Sequence, residues 1–360
     1  PSGYAEMTTL FEPLQLGEIA LANRVIMAPM TRSRCDADAM PNDLMVAYYR
    51  QRASAGLIVA EGIAPSRDGI GYCRTPGLYA REQVTAWRQV TDAVHAEGGR
   101  IVAQLMHCGR VCSHFNKPEE AETVAPSAVR AAGRIYTDAA GMQELDLPRA
   151  LALEEIPAVV DEYATATRHA LAAGFDGVEL HCTSGYLPMQ FMAINSNLRT
   201  DAYGGSVGNR VRFVVEALEA MTGAGGSGRV GLRICPGNPF NDVLDPEPAV
   251  TYEALLSAVC HLRPAYLHVV RSPLEDFDAF ALARRHFDGP LILNDSFDRA
   301  SASQALAEGR GAAVSFARHF IGNPDLVRRL RDGLPLAGFD PKTLYTPGAA
   351  GYTDYPCARA

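Results

Sequence analysis

The sequence predicts an α/β protein folded as a (β/α)8 TIM barrel. Three observations carry that prediction. Strand-like and helix-like runs alternate eight times along the 360 residues. The strand runs are short and nearly unbroken in their apolar character, as parallel strands buried on both faces are. Polar side chains recur at the ends of those runs, where barrel enzymes gather their sites. Eight units in this length favour a barrel over an open doubly wound sheet. One domain over residues 7–360 is expected, and PSGYAE (residues 1–6) reads as an expression remnant.

The elements follow in order. Residues 11–22 alternate loosely around a Gly turn and predict a small β-hairpin. Strands are predicted at 24–30, 57–61, 101–107, 177–181, 230–235, 266–271, 290–295 and 312–318. The intervening helical patterns fall at 43–55, 81–97, 154–173, 207–221, 249–262, 274–287, 299–308 and 324–331. Ser206 precedes the fourth of these as an N-cap. Two stretches break the repeat. Residues 108–150 form an Ala- and Pro-rich excursion after the third strand, read as a lid or binding loop over the barrel mouth. The tail 333–360 carries Tyr345, Tyr352 and Tyr355 and is expected to fold back over a barrel end.

Composition narrows the function classes. The formal net charge is −8 and no basic run exists, which argues against nucleic-acid binding. No apolar run approaches the ~18 residues that span a membrane. No charged-then-apolar leader pattern opens the chain, and the eight scattered cysteines fit a reduced, cytoplasmic protein. Cys108 and Cys112 lack a matching second pair, so no metal site is expected.

The stretch GVELHCTSGY, residues 177–186, organises the chemistry. An imidazole (His181), a hydroxyl (Ser184) and a phenol (Tyr186) follow one buried strand within six residues. Such groups hold an oxygen, add a second hydrogen bond and pass a proton. The plainer reading is a capped loop with a half-buried Tyr. The other strand ends add Pro29, Met30, Thr31, Arg32, Glu61, Gln104, His107, Arg233, Arg271, Asn294, Asp295, Ser296 and Arg318. Their convergence describes a polar-lined site for a sizeable cofactor. Arg318 after the last strand, with Ser296 after the seventh, suits the phosphate site of a barrel. For Arg233 and Gln104 the alternatives are an ion pair across the barrel and a satisfied backbone.

The motifs NRVIMAPMTR (23–32), AQLMHCGR (103–110), ELHCTSGYLPMQF (179–191), SNLRTDAYGGSVGNR (196–210), FIGNPDL (320–326) and GAAGYTDYP (348–356) resemble those of the Old Yellow Enzyme family of flavin-dependent ene-reductases. The resemblance runs from Leu10 to about Pro356 and implies FMN in the barrel mouth. By position it implies that Pro29, Met30 and Thr31 lie along the flavin ring, with Ala60 as a further contact. It puts Gln104 on the pyrimidine part, Arg233 beside N1 and the C2 oxygen, and Arg318 on the phosphate. Asp295, Ser296 and Ala317 lie in the same phosphate loops. His181 and Ser184 match the pair that grips the substrate oxygen, Tyr186 the proton donor, and Tyr72, Met106 and Tyr352 the pocket wall. The implied reaction is ping-pong. NADPH or NADH gives a hydride and leaves, then an α,β-unsaturated carbonyl takes its place. A monomer or homodimer is expected.

Four positions depart from the family pattern. Ser184 stands where Asn or His is usual. Met106 replaces a large aromatic. Asp295 and Ala317 each replace a usual Gly, and Ala317 would cost about 1 kcal/mol if its φ had to be positive. These departures keep two alternatives open. One is a flavoenzyme turned to isomerising, desaturating or reducing one biosynthetic intermediate. The other is a non-catalytic barrel with impaired FMN binding.

Overall fold

The computed structural model describes residues 9–359; the proposed remnant 1–6 lies outside them. Eight parallel strands close into a barrel: Val25–Met27, Leu57–Ile63, Ile101–Leu105, Gly177–Cys182, Val230–Ile234, Tyr266–Val270, Leu291–Asn294 and Ala313–Phe316. Closure is explicit in the pairing of Val314 with Val25. These are the strands predicted from the sequence; the second and fourth run longer than predicted and the other six are shorter at one or both ends.

Each strand leads to a helix. Helix starts fall where side chains satisfy free backbone N–H groups. The Asn42 side chain accepts from the Met45 amide at the start of Asp43–Gln51, and Ser206 from the Asn209 amide at the start of Val207–Gly225. The helix expected at 274–287 begins later, as Ala279–His286, because Asp278 caps it by accepting from Phe280 and Ala281. Two short helices add to the predicted periodic pattern, Leu187–Met192 and Arg318–Gly322, the second opening at Arg318 after the last strand. The first is buried at every position and so carries no amphipathic period.

The hairpin Leu14–Leu16 and Ile19–Leu21 plugs the N-terminal end of the barrel. Leu16, Ile19 and Leu21 are at most 3% exposed and pack on Ile26, Leu57, Val102 and Ile292. Burying three such side chains contributes roughly 6 kcal/mol. Gly17, at φ +55, turns the hairpin where a Cβ would stand 2.3 Å from the Gly228 carbonyl oxygen. With that end sealed, the opposite mouth is left for chemistry.

The excursion after the third strand carries an antiparallel hairpin, Arg134–Thr137 with Gly141–Glu144. Ala131, Ile135 and Leu145 form a small core with Met106, Val111 and Tyr186, which seats the hairpin beside the mouth. The tail returns to the same end. Arg34 donates to the carbonyls of Thr343, Leu344, Gly348 and Ala350 at 2.7–3.2 Å. Arg32 donates to those of Leu344 and Gly351.

Candidate active site

At the C-terminal mouth of the barrel lies a cavity of about 720 Å³. Pro29 and Thr31 line it from the first strand end, Gln104 and Met106 from the third, and His181, Ser184 and Tyr186 from the fourth. Arg233 enters from the fifth and Tyr72 from the loop after the second. Beside it is a cavity of about 410 Å³ lined by Asn294, Asp295, Ser296, Ala317, Arg318 and His319. A 2.8 Å hydrogen bond from Arg233 Nη2 to Asn294 Oδ1 joins a wall of one to a wall of the other.

The fourth strand positions three groups. His181 is 5% exposed, and burial, then the nearby Arg233 cation, depress its pKa well below the usual imidazole value. It is therefore neutral. The Thr183 backbone N–H donates to His181 Nδ1 at 3.3 Å, which leaves the proton on Nε2. Tyr186 stacks edge-on against His181, with ring centroids 4.9 Å apart. Its hydroxyl is 2.8 Å from that of Tyr72. Burial and the neighbouring phenol raise the Tyr186 pKa well above the usual value, so it holds its proton at neutral pH. Ser184 is held at φ 60, its N–H donating to Cys235 Sγ at 3.3 Å and its carbonyl accepting from Asn241 Nδ2 at 2.8 Å. The turn at Ser184–Gly185, both at positive φ, swings Tyr186 back towards the cavity.

Arg233 and Gln104 supply the floor. Burial lowers the Arg233 pKa, and Glu179 works against that. Its Nε is buried without a partner. A buried N–H of a cation left unpaired at a cavity wall calls for an acceptor from a ligand. FMN carries acceptors on its ring and a phosphate on its side chain. The polar set fits it: the Arg233 guanidinium as donor and the Gln104 side-chain amide, its N–H on Glu179, at the larger cavity, and Arg318 with the Ser296 hydroxyl at the smaller.

Other expected residues lie elsewhere. Tyr352 does not line the cavity. It is fully buried, stacked on Tyr48 at 4.1 Å, with the Arg34 guanidinium 4.9 Å from its ring. The tail aromatic that does line the cavity is Tyr345. Ala60 is buried in the second strand, and Met30 is half-buried outside the lining. Glu61 accepts from the Tyr49 hydroxyl at 2.7 Å, His107 is buried beside Glu162, and Arg271 lies over Phe297. Arg32 is spent on the tail. Polar residues at strand ends therefore divide between site and scaffold, which their spacing alone does not reveal.

The Gly replacements also separate. Ala317 has φ −99, so the expected glycine cost is absent there. Asp295 and Ser296 are the strained pair, at φ 84 and 59. Gly62 also lines the cavity although no polar side chain marks it, and a Cβ there would collide with Met106 Sδ. Phe240, Tyr136 and Met142 are exposed apolar side chains around the mouth that strand ends do not mark. Their one sequence signal is large apolar residues in loops.

A closed βα barrel with a neutral imidazole, a protonated phenol and a fixed cation at its mouth suits a barrel enzyme that holds an anionic cofactor and passes protons beside it. The profile of the NADH:flavin oxidoreductase / NADH oxidase family matches residues 9–337. The chain is 42% identical over 355 residues to a Leishmania infantum protein named "Probable flavin mononucleotide-dependent alkene reductase", covering 96% of this chain and 97% of that one. It is 35% identical over 357 residues to 12-oxophytodienoate reductase 1 of Oryza sativa subsp. japonica, covering 96% and 92%. Among solved structures, morphinone reductase superposes with a TM-score of 0.93 at 41% identity, covering 98% of this chain and 97% of that one. An old yellow enzyme homologue from Zymomonas mobilis gives 0.94 at 38%, covering 98% and 100%. The chain belongs to this family, the Old Yellow Enzymes, and is an FMN-dependent oxidoreductase.

Proposed function

We propose that the protein takes hydride from NADPH or NADH and reduces the C=C bond of α,β-unsaturated carbonyl compounds, the two substrates using one cavity in turn. The observation that carries this reading is the meeting of His181, Ser184, Tyr186 and Arg233 at one cavity. Bound FMN supplies the hydride relay. The chain's own residues do the rest. His181 Nε2–H donates to the carbonyl oxygen, where charge develops as the alkene is reduced, and losing one such donor commonly costs about 3–4 kcal/mol of barrier. The Ser184 hydroxyl offers a second, shorter donor. Tyr186 gives a proton to Cα. Arg233 offsets negative charge at the cavity floor, and Gln104 adds an amide there. Arg318 and Ser296 hold the phosphate.

The relatives' names support the reaction class: an alkene reductase, a 12-oxophytodienoate reductase, and a morphinone reductase solved with tetrahydroNAD. The apolar rim of Phe240, Tyr136, Met142 and Tyr345 favours a bulky enone. All eight cysteines are free, which supports a reducing compartment, and we place the protein in the cytoplasm. No helix among the described residues is long and apolar enough to cross a membrane.

The deciding experiment reads the visible spectrum of the purified protein, then bleaches it without oxygen using NADPH or NADH and adds 2-cyclohexen-1-one. Recovery of colour with a saturated ketone as product is expected. A protein that binds no FMN sinks the reading. Double-bond migration without net consumption of NADPH replaces it with an isomerase.

A further inference from the structure

The barrel interior below the cavity is polar. In TIM barrels, alternate strands fill each interior layer, and bulky branched apolar side chains dominate. Here the fourth, sixth and eighth strands contribute Glu179, His268 and Ser315, each at most 2% exposed. They form one hydrogen-bonded line. Ser315 Oγ is 2.7 Å from His268 Nε2, and His268 Nδ1 is 2.9 Å from Glu179 Oε2. The line continues as Gln104 Nε2 donates to Glu179 Oε1 at 2.9 Å, and Tyr266 adds a donor to Oε2 at 3.1 Å. Gln104 is the end that lines the cavity.

Two features set this line apart from an apolar filling layer. Burying a carboxylate is costly, and an apolar layer of like volume is often as stable or more so. And the line is directional. Glu179 accepts only, so His268 must donate from Nδ1 and accept at Nε2 from Ser315. Gln104 spends its amide N–H on Glu179, which turns its carbonyl away from the carboxylate.

We propose that Glu179 is a positioning residue for the flavin site: it fixes the Gln104 amide so that its carbonyl is offered to the cavity, and its charge tempers that of Arg233, setting the reduction potential of the bound flavin. The proposal rests on the FMN reading above. A buried anion disfavours adding electrons nearby, so Glu179 holds the potential below the value that Arg233 alone would give.

The test measures the midpoint potential and FMN dissociation constant of the holoprotein. Glu179→Gln removes the charge and sets one N–H against another donor. The potential should move positive and FMN bind about tenfold more weakly, the worth of one good hydrogen bond. Tyr266→Phe removes a donor from the anion and leaves its charge less offset, so the potential should move negative. A merely structural layer would loosen the site in both variants and move both the same way. Potentials that agree with wild type in both, or shift in one direction, overturn the proposal. If Glu179→Gln does not fold, Tyr266→Phe decides alone: an unchanged or more positive potential overturns it. A wild-type protein that binds no FMN sinks the earlier reading, whereas a loaded protein indifferent to both substitutions sinks this one.

Discussion

Tyr72 and Tyr186 bring their hydroxyls to 2.8 Å, with their rings near-perpendicular at 86°. At rest the neighbouring phenol helps Tyr186 keep its proton, but the contact can run in either direction, so Tyr72 can turn to donate to the oxygen that Tyr186 leaves bare once the proton is given up. Tyr186→Phe should slow reoxidation by an enone at least a hundredfold, the usual scale for a lost general acid. Reduction by NADPH should be nearly unchanged. Tyr72→Phe should slow reoxidation about tenfold, one charge-assisted hydrogen bond's worth. Stopped-flow measurement of the two half-reactions decides. Equal loss in both for Tyr186→Phe would remove it as the proton donor.

Buried imidazoles set the acid limit of stability. His107 is pulled to about 3 by burial, and His181 and His268 are also depressed below 6.5, burial again leading. Each stays neutral when folded and takes up a proton on unfolding, so stability falls as pH drops below about 6.5. Glu61 and Glu162 oppose this. Burial raises both to about 7, so they release protons on unfolding between 4.5 and 7. Three uptakes against two releases leave stability rising gently from pH 5 to 6.5. His107→Gln should flatten that slope and Glu162→Gln should steepen it, read as Tm against pH.

Arg34 ties the tail to the first strand end and thereby holds Tyr345 in the cavity wall. It is 3% exposed and donates to four tail carbonyls. Arg34→Ala should destabilise the protein by about 3 kcal/mol, since hydrogen bonds from a charged donor are among the stronger ones. The tail should become sensitive to limited proteolysis, and the KM for the enone should rise. Unchanged cleavage would mean that the other donors to tail carbonyls, Arg32, Arg74 and Gln51, suffice to hold it.

The barrel was legible because buried parallel strands and amphipathic helices have different periods, and each appeared eight times. The placement of His181, Ser184, Tyr186, Gln104 and Arg233 around one mouth followed from strand order. What escaped depends on direction rather than spacing. Glu179 read as a strand residue because nothing in a linear pattern tells a carboxylate within the barrel from one facing a helix. Tyr345 and Tyr352 are seven residues apart in one tail. Tertiary contacts decide which of them reaches the cavity: Arg32 and Arg34 donate to carbonyls on either side, and Arg74 to that of Tyr345 itself.

Asp295 and Ala317 looked alike in the sequence, each standing where Gly is usual, but their backbones differ. Asp295 is at φ 84 and Ala317 at φ −99. Asp295→Gly should stabilise the protein by roughly 1 kcal/mol. It also removes a carboxylate from the smaller cavity, so FMN should dissociate more slowly. Ala317→Gly should gain neither. Thermal melts and FMN release rates check both, and equal gains would place the strain elsewhere.

Ser184 joins a strained backbone to a short side chain. At φ 60 it occupies the left-handed region, which Asn tolerates better than Ser. The backbone holds are independent of the side chain: the N–H goes to Cys235 Sγ and the carbonyl takes Asn241 Nδ2. The hydroxyl reaches Thr183 Oγ1 only at 3.4 Å, too far to be held firmly. An Asn at 184 would therefore keep the turn, relieve part of the strain and extend a donor further into the cavity. Ser184→Asn should raise Tm slightly and tighten phenol-type ligands about tenfold, one added hydrogen bond to a charged oxygen. Titration of a para-substituted phenol, followed in the flavin spectrum, measures it. A higher Tm with unchanged affinity would mean that residue 184 shapes the turn without reaching the substrate oxygen, and that His181 holds that oxygen alone.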